Sequence, residues 1–161
     1  MASDSSSSTD RIERQILLKA PRERIWRALS DPAEFGAWFG VVFDPGAAFT
    51  PGTEARGHIT HPGYEHLVFT ALIDRVEPQR VLSFRWHPYA IDPAVDYSKE
   101  PMTRVEFTLD EGPGGILLRI VESGFDAIPE SRRASAFAGN SKGWEGQLAN
   151  IGKHLAQAGV R

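Results

Sequence analysis

Three segments in the second half of the chain alternate apolar and polar residues with a period of two. They are "VLSFRW" at 81–86, "TRVEFTLDE" at 103–111 and "ILLRIVES" at 116–123. Because successive side chains of a strand point to opposite faces, each segment predicts a strand with one apolar and one polar face. Arginines and glutamates occupy the polar face, as is typical of a face exposed to water. The alternation therefore predicts an antiparallel sheet that is covered on one side only.

The remaining elements agree with this sheet. The segment "RIERQILLK" at 11–19 alternates in the same way, and further strands are predicted over about 54–61 and 66–77. "APRERIWRALSDP" has a helical period, and "PAEFGAWFG" predicts a second short helix after Asp31. A last helix carries the chain's main apolar stripe, whose members fall within roughly 60° at about 100° per residue: Phe137, Trp144, Leu148, Ile151 and Leu155. One sheet with a long helix on its apolar face is an α+β architecture.

The last predicted helix contains Gly139, Gly143, Gly146 and Gly152, although each glycine in a helix interior costs about 0.5–1 kcal/mol relative to alanine. The first three lie on the side away from the apolar stripe, so we do not expect them to shape a cavity wall. One explanation is a break at 138–140, where Gly139 ends one helix and Asn140 or Ser141 caps the next. The other is that Gly143 and Gly146 allow another segment to approach the helix or let it bend.

The length of 161 residues favours one domain, here predicted over 11–158 after a disordered serine-rich tail at 1–10. A net charge of −3 without basic blocks argues against nucleic-acid or anionic-membrane partners. The absence of cysteine excludes disulfides, thiolate zinc sites and a cysteine nucleophile. No apolar run reaches the roughly 18 residues of a membrane span, and no signal peptide is recognised, so the cytoplasm is the expected location.

Four motifs occur together in an order that resembles a known family. They are "APRERIWRALSDPAEFGAWFG" at 20–40, "VEPQRVLSFRW" at 76–86, "VESGF" at 121–125 and "GWEGQLANI" at 143–151. Together they resemble the homologues of the heat-shock-protein-90 ATPase activator, within the START-like, pollen-allergen-like superfamily. The resemblance implies a helix-grip fold, in which a curved sheet wraps around the C-terminal helix and leaves a cavity between them. It also implies a binder of small apolar ligands, although some relatives in the superfamily are enzymes.

The apolar face of the predicted sheet supplies candidates for the lining of that cavity. Apolar side chains with a few polar groups are typical of a ligand pocket. The candidate ligand-binding residues are Trp38, Phe39, Phe69, Phe84, Trp86, Phe107, Leu118, Ile120, Glu122, Trp144 and Leu148. Alternation alone does not distinguish a lined cavity from a packed core, so both interpretations stay open.

Glu122 is the most informative of these candidates, because it is an acidic residue on an apolar face. It continues the apolar face of Leu118 and Ile120, so its carboxylate should point inward, where it requires a cationic partner or a raised pKa. The alternatives are that strand curvature exposes it or that it caps a helix after Gly124. His87 is a second candidate for catalysis, at the start of the segment 88–101, which is either a lid or ordinary variation between homologues.

Three other histidines, His58, His61 and His66, cluster with Glu65 in "GHITHPGYEH" at 57–66. If residues 62–65 form a hairpin tip, His61 and His66 face each other across its base, while His58 points to the opposite face. Two histidines and Glu65 on an exposed turn fall short of the converging ligands of a zinc site, so no metal and no cofactor are expected.

The leading hypothesis is a non-enzymatic protein, monomeric or homodimeric, that binds a small apolar or aromatic ligand between the sheet and the last helix. The first alternative is a cyclase-, dehydratase- or hydrolase-like enzyme with Glu122 as general acid or base, assisted by His87. The second is a chaperone regulator or another protein-interaction module, which requires a large exposed apolar patch.

Overall fold

A computed structural model, which describes residues 9–92 and 94–159, has one antiparallel sheet in the spatial order β1-β7-β6-β5-β4-β3-β2. The strands are β1 (Arg11–Leu18), β2 (Val41–Phe43), β3 (Glu54–Ile59), β4 (Val68–Glu77), β5 (Val81–Trp86), β6 (Thr103–Gly112) and β7 (Gly115–Ser123). The helices are α1 (Arg22–Ser30), α2 (Pro32–Phe39) and α3 (Glu130–Gly159), with 3₁₀ turns at Tyr97–Lys99 and Phe125–Ala127. The predicted α+β fold, with two short helices after the first strand and a long helix on the sheet, is confirmed.

The two short helices are separated by Asp31, as the sequence predicts. The Asp31 carboxylate accepts a hydrogen bond from the Glu34 backbone N–H at 3.0 Å and so caps α2, which begins at Pro32. Gly40 ends this helix with a φ of 98°, a conformation that favours glycine. Strand β2 follows directly and forms one edge of the sheet. It was not predicted, because three residues are too few to show a period.

Helix α3 is uninterrupted over 30 residues, so the predicted break at 138–140 is wrong. The second explanation for the glycines applies instead, but at Gly139. A Cβ at that position would lie only 2.5 Å from the ring of Tyr89, so the absence of a side chain lets the loop after β5 pack on the helix. A Cβ at Gly143 or at Gly146 meets nothing within 4 Å, so none of the described segments approaches the helix at those two positions.

The space between the sheet and α3 is filled by a buried aromatic cluster. Phe107 lies near its centre, with ring centroids 6.0 Å from Phe84 and 5.9 Å from Trp144. Leu118 and Ile120 of β7 are buried beside it. The outer face carries ion pairs, among them Arg104 with Asp74 at 3.0 Å. The sheet therefore has one packed and one charged face, as its alternation predicts.

The first described residues belong to the fold. Asp10 accepts backbone hydrogen bonds from Gly124 and Asp126, and Thr9 donates to the Asp126 carboxylate at 3.3 Å. Residues 1–8 of the predicted serine-rich tail lie outside the described residues. Within 9–92 and 94–159, no helix combines the length and the apolar character needed to cross a membrane.

Candidate functional site

Three strands bring polar residues to one end of the inner face. Trp86 ends β5 and pairs with Thr103, which begins β6, while Glu122 lies one residue before the end of β7. Because neighbouring strands are antiparallel, these positions meet at the same end of the sheet. Asn140 and Trp144 of α3 face them, since residues four apart lie on one side of a helix. Strands and helix therefore converge on Glu122.

The Glu122 side chain is fully buried, with 0% exposure, and both of its oxygens accept hydrogen bonds. Oε2 accepts from the Trp86 indole N–H at 2.8 Å and from the Thr103 hydroxyl at 2.5 Å. Oε1 accepts from the Trp144 indole N–H at 2.8 Å. The Asn140 amide nitrogen donates to Oε1 at 3.0 Å and to Oε2 at 3.1 Å. We call these five residues the Glu122 cluster.

All four donors of the Glu122 cluster are electrically neutral. An indole N–H only donates, and the side-chain amide nitrogen of Asn140 has no acceptor function, so these groups suit an ionised carboxylate. Within the described part of the chain, no arginine, lysine or histidine forms an ion pair with Glu122. Hydrogen bonds from uncharged groups thus take the place of a cationic partner, which was one of the two expected arrangements, and they hold both tryptophan rings in fixed orientations.

Two neighbouring pockets lie over the Glu122 cluster. The first has a volume of about 170 Å³ and is lined by Phe39, Trp86, Asn140, Gly143, Trp144 and Gln147. The second has a volume of about 320 Å³ and is lined by the same Phe39, Trp86 and Asn140, together with residues of β4 and of the loop 87–97. Because they share three residues, we treat them as one site, the Trp86 pocket. Two of these shared residues, Trp86 and Asn140, are held by Glu122.

Arg132 of α3 fixes the loop that covers the Trp86 pocket. It donates to the Glu100 carboxylate at 2.7 and 3.0 Å and to the backbone oxygens of Pro88 and Tyr89 at 2.9 and 3.2 Å. Its guanidinium also lies 4.7 Å from the ring centroid of Tyr97. Tyr89 and Tyr97 both line the pocket. Part of the segment 88–101 is therefore a wall of the site, held on the helix by Arg132 and by the packing of Tyr89 on Gly139.

The family comparison agrees with this architecture. The model of the Activator of Hsp90 ATPase homolog 1-like proteins matches residues 19–156, which include both short helices, most of the sheet and most of α3. The chain belongs to this family. The comparison with curated proteins gives no match.

Solved structures similar to this AHSA1-like chain share its fold. Protein MLL2253 from Mesorhizobium loti is 28% identical, with a TM-score of 0.68 over 91% of this chain and 97% of its own. A protein from Arthrobacter aurescens superposes with a TM-score of 0.75 at 16% identity, over 94% and 88% of the two chains. DynU16, from the dynemicin biosynthetic locus, is 24% identical, with a TM-score of 0.70 over 92% of this chain and 48% of its own. This chain thus spans about half of DynU16.

The predicted lining residues of this AHSA1-like chain lie in different places, and Glu122 among them is fully buried and lines neither part of the Trp86 pocket. Phe39, Phe69, Trp86 and Trp144 line the Trp86 pocket, whereas Trp38 lines a separate crevice beside Gly40 and Thr60. Residues buried in the hydrophobic core are Phe84, Phe107, Leu118, Ile120 and Leu148. The pocket therefore lies toward one end of the space between sheet and helix, whereas aromatic and aliphatic side chains fill its centre. Trp38 donates its indole N–H to the Ala28 oxygen at 2.8 Å.

The sequence interpretation missed two residues of the Glu122 cluster, and it placed one residue of the Trp86 pocket away from the cavity. Thr103 lies opposite Trp86 across the long connection 87–102, which is too long for the sequence to reveal the register of the two strands, and Asn140 precedes Trp144 by one helical turn. Asn140 was considered only as a cap for a helix break that does not exist. Gly143, expected to lie away from any cavity wall, lines the Trp86 pocket, because the pocket opens beside the apolar stripe and not beneath it.

The histidines lie in three separate places, one of which is α3, where His154 Nε2 is 2.9 Å from the Glu34 carboxylate. His87 lines the wider part of the Trp86 pocket, and its Nε2 is 3.1 Å from the Glu100 backbone oxygen. His61, Glu65 and His66 are exposed between β3 and β4, where Glu65 accepts from the Gly63 backbone N–H at 2.9 Å. In the described ranges, no group of three or more histidine, aspartate or glutamate side chains is arranged to hold a metal ion.

A separate crevice of about 600 Å³ lies between α2, β2 and the loop after β2. Small side chains and backbone form much of its lining, including Ala33, Gly36, Ala37, Gly46 and Ala47. It contains none of the candidate site residues. Although this crevice is large, none of the side chains that line it is a buried polar group that would orient a ligand.

Proposed function

We propose that this chain binds a small, mainly apolar aromatic ligand in the Trp86 pocket without transforming it. The observation that carries the proposal is the placement of this pocket on top of the Glu122 cluster. Indole and phenyl rings supply the apolar contact area, and buried hydrogen bonds fix two of the lining residues in advance. Few groups lose freedom when the ligand binds, so more of the contact energy contributes to affinity.

The contacts of Glu122 do not favour the enzymatic alternative. A general acid or base needs an oxygen within hydrogen-bond reach of the substrate. Both Glu122 oxygens already accept from protein donors, and Glu122 does not line either part of the Trp86 pocket. Its partner in that hypothesis, His87, is engaged with the Glu100 backbone oxygen. In the proposed function Glu122 acts through Trp86 and Asn140 as a positioning residue.

The other expectations accompany this proposal unchanged. A small apolar ligand is the only partner proposed, and the chain is expected to act in the cytoplasm as a monomer or homodimer. Exposed apolar side chains do occur, such as Val42 and Val68 on the outer face of β2 and β4. His58 of β3 lies between them, opposite Val42 on one side and Val68 on the other. This polar side chain separates the two valines, which argues against a large continuous docking patch.

Two glycines of α3 provide a matched test of the proposed pocket. Gly143 lines the pocket, Gly146 does not, and a side chain at either position begins in open space. Replacing glycine by leucine favours the helix by roughly 0.5–1 kcal/mol at both positions. We expect Gly143→Leu to abolish calorimetrically measured binding of 2-naphthol, while Gly146→Leu binds like the wild type. Equal binding by the two variants, or no binding by the wild type at millimolar probe, contradicts the proposal.

A further inference from the structure

The polar groups of the narrower part of the Trp86 pocket differ in what they still offer a ligand. The nitrogen donors are all engaged: the indole N–H groups of Trp86 and Trp144 donate to Glu122, as does the Asn140 amide. The Gln147 amide donates to the Phe39 backbone oxygen at 2.9 Å and accepts from Asn150 at 3.1 Å. Each of these nitrogens therefore has a partner, and a ligand acceptor meets only the second N–H of the Gln147 amide.

The Asn140 carbonyl oxygen, Oδ1, is the remaining polar atom. Among the described residues it accepts no side-chain or backbone hydrogen bond, whereas the nitrogen of the same amide contacts both Glu122 oxygens. Within the described ranges, the single buried side-chain nitrogen or oxygen without a partner is Nε of Arg11. Oδ1 is therefore not sealed in the core. It is accessible from outside the core, and the residue that carries it, Asn140, lines both parts of the Trp86 pocket.

Electrostatics prevent the Asn140 amide from turning around. In the reversed orientation its oxygen would lie about 3 Å from two carboxylate oxygens, with acceptors facing acceptors and one hydrogen-bond donor lost to Glu122. The buried carboxylate thus determines which end of the amide a ligand meets. Glu122 fixes the nitrogen end of the Asn140 amide, and this in turn fixes where its oxygen end lies relative to the pocket.

We infer that the Trp86 pocket selects an uncharged aromatic ligand that carries a hydroxyl or N–H donor, which Asn140 Oδ1 accepts. This inference rests on the proposed function and specifies its ligand class. The charge of the site points the same way, because every residue lining the narrower part is neutral and the nearest ionised group in the cluster beneath it is an anion. A carboxylate ligand therefore meets no cation there and loses its hydration on entering the pocket.

Three probes with the same ring system test the donor preference. 2-Naphthol carries a hydroxyl donor. In 2-methoxynaphthalene a methyl group replaces the hydroxyl hydrogen, so the donor is lost, and 2-naphthoate is an anion. Titration calorimetry on the wild type should give 2-naphthol about threefold to tenfold tighter binding than 2-methoxynaphthalene, as one net hydrogen bond provides. 2-Naphthoate should bind most weakly of the three. Equal affinities for naphthol and its methyl ether, or tightest binding of naphthoate, overturn the inference.

Two leucine variants assign the preference to Asn140. In Asn140→Leu the affinity ratio of naphthol to methyl ether should fall to about the value that results from the different hydration of the two probes alone. Gln147→Leu changes another residue of the same pocket and should retain the wild-type ratio. Comparing ratios between proteins cancels the hydration of the probes, as in a double-mutant cycle. A ratio that survives in Asn140→Leu overturns the inference alone. Absence of binding by all probes to the wild type overturns the proposed function and the inference with it.

Discussion

The two faces of the sheet hold their carboxylates in opposite ways. On the inner face Glu122 is buried and bonded to four neutral donors, with no cation. On the outer face Asp74 has a side chain that is 36% exposed, and it pairs with the Arg104 guanidinium at 3.0 Å. The inner arrangement is directional and shielded from water, whereas the outer one is screened by solvent and salt. Carboxylates of one sheet thus serve two purposes: the inner one orients a pocket, and the outer one contributes to a charged surface.

Removing the inner carboxylate should have the largest effect on stability. Glu122→Leu keeps a similar volume, so no cavity opens, but the indole N–H groups of Trp86 and Trp144 lose their acceptor inside the core. Each buried donor without a partner costs about 1–3 kcal/mol, so the free energy of unfolding should fall by roughly 3–5 kcal/mol. Urea titration followed by circular dichroism measures this change.

The isosteric variant refines the result for Glu122. Glu122→Gln retains one acceptor oxygen but turns an amide N–H₂ toward donors, so its loss should be smaller than that of the leucine variant. A loss below about 1 kcal/mol in Glu122→Leu contradicts the account, because it would mean that water or neighbouring groups satisfy the two indoles.

The outer carboxylate should show a smaller effect that depends on pH. The hydrogen bond from the Arg104 guanidinium holds the pKa of Asp74 below its usual value, against an opposing contribution from partial burial. Since the pKa is lower in the folded state, the stabilisation is present above the unfolded pKa, near 3.9, and is lost as pH falls through the folded value. Solvent screening limits it to below about 1 kcal/mol.

The control for this effect is Asp74→Asn, which removes the charge and leaves the shape. Unfolding free energies of wild type and variant, measured by urea titration, should differ at pH 6 and converge as the pH falls through the lowered pKa of Asp74, and 1 M salt should reduce the difference. A difference that grows on acidification would contradict the sign of the effect.

The strands and helices could be predicted because each depends on a repeating pattern. Alternation identified β5, β6 and β7, and the apolar stripe identified α3 and placed Trp144 inward. The continuation of Leu118 and Ile120 into Glu122 also predicted correctly that this carboxylate points inward. These features follow from local sequence, since side-chain direction is set by the element itself.

The partners of Glu122 could not be read in this way, because they depend on how α3 is placed along the sheet. Asn140 lies 18 residues from Glu122 and reaches it only through that placement. Gly139 suggested a helix end, since nothing in the sequence shows that the Tyr89 ring occupies its Cβ position. The pocket was placed too centrally for the same reason: alternation marks which side chains point inward but not which of them pack against one another.

The central claim, that an aromatic ligand occupies the pocket over the Glu122 cluster, is tested most directly by nuclear magnetic resonance. The chain has four tryptophans, so four indole N–H signals report separately on the fold. Titration with 2-naphthol should shift the signals of Trp86 and Trp144, which line the pocket, and leave that of Trp26 on α1 unchanged. Unchanged Trp86 and Trp144 signals at saturating probe, or an equal shift of Trp26, would contradict the account.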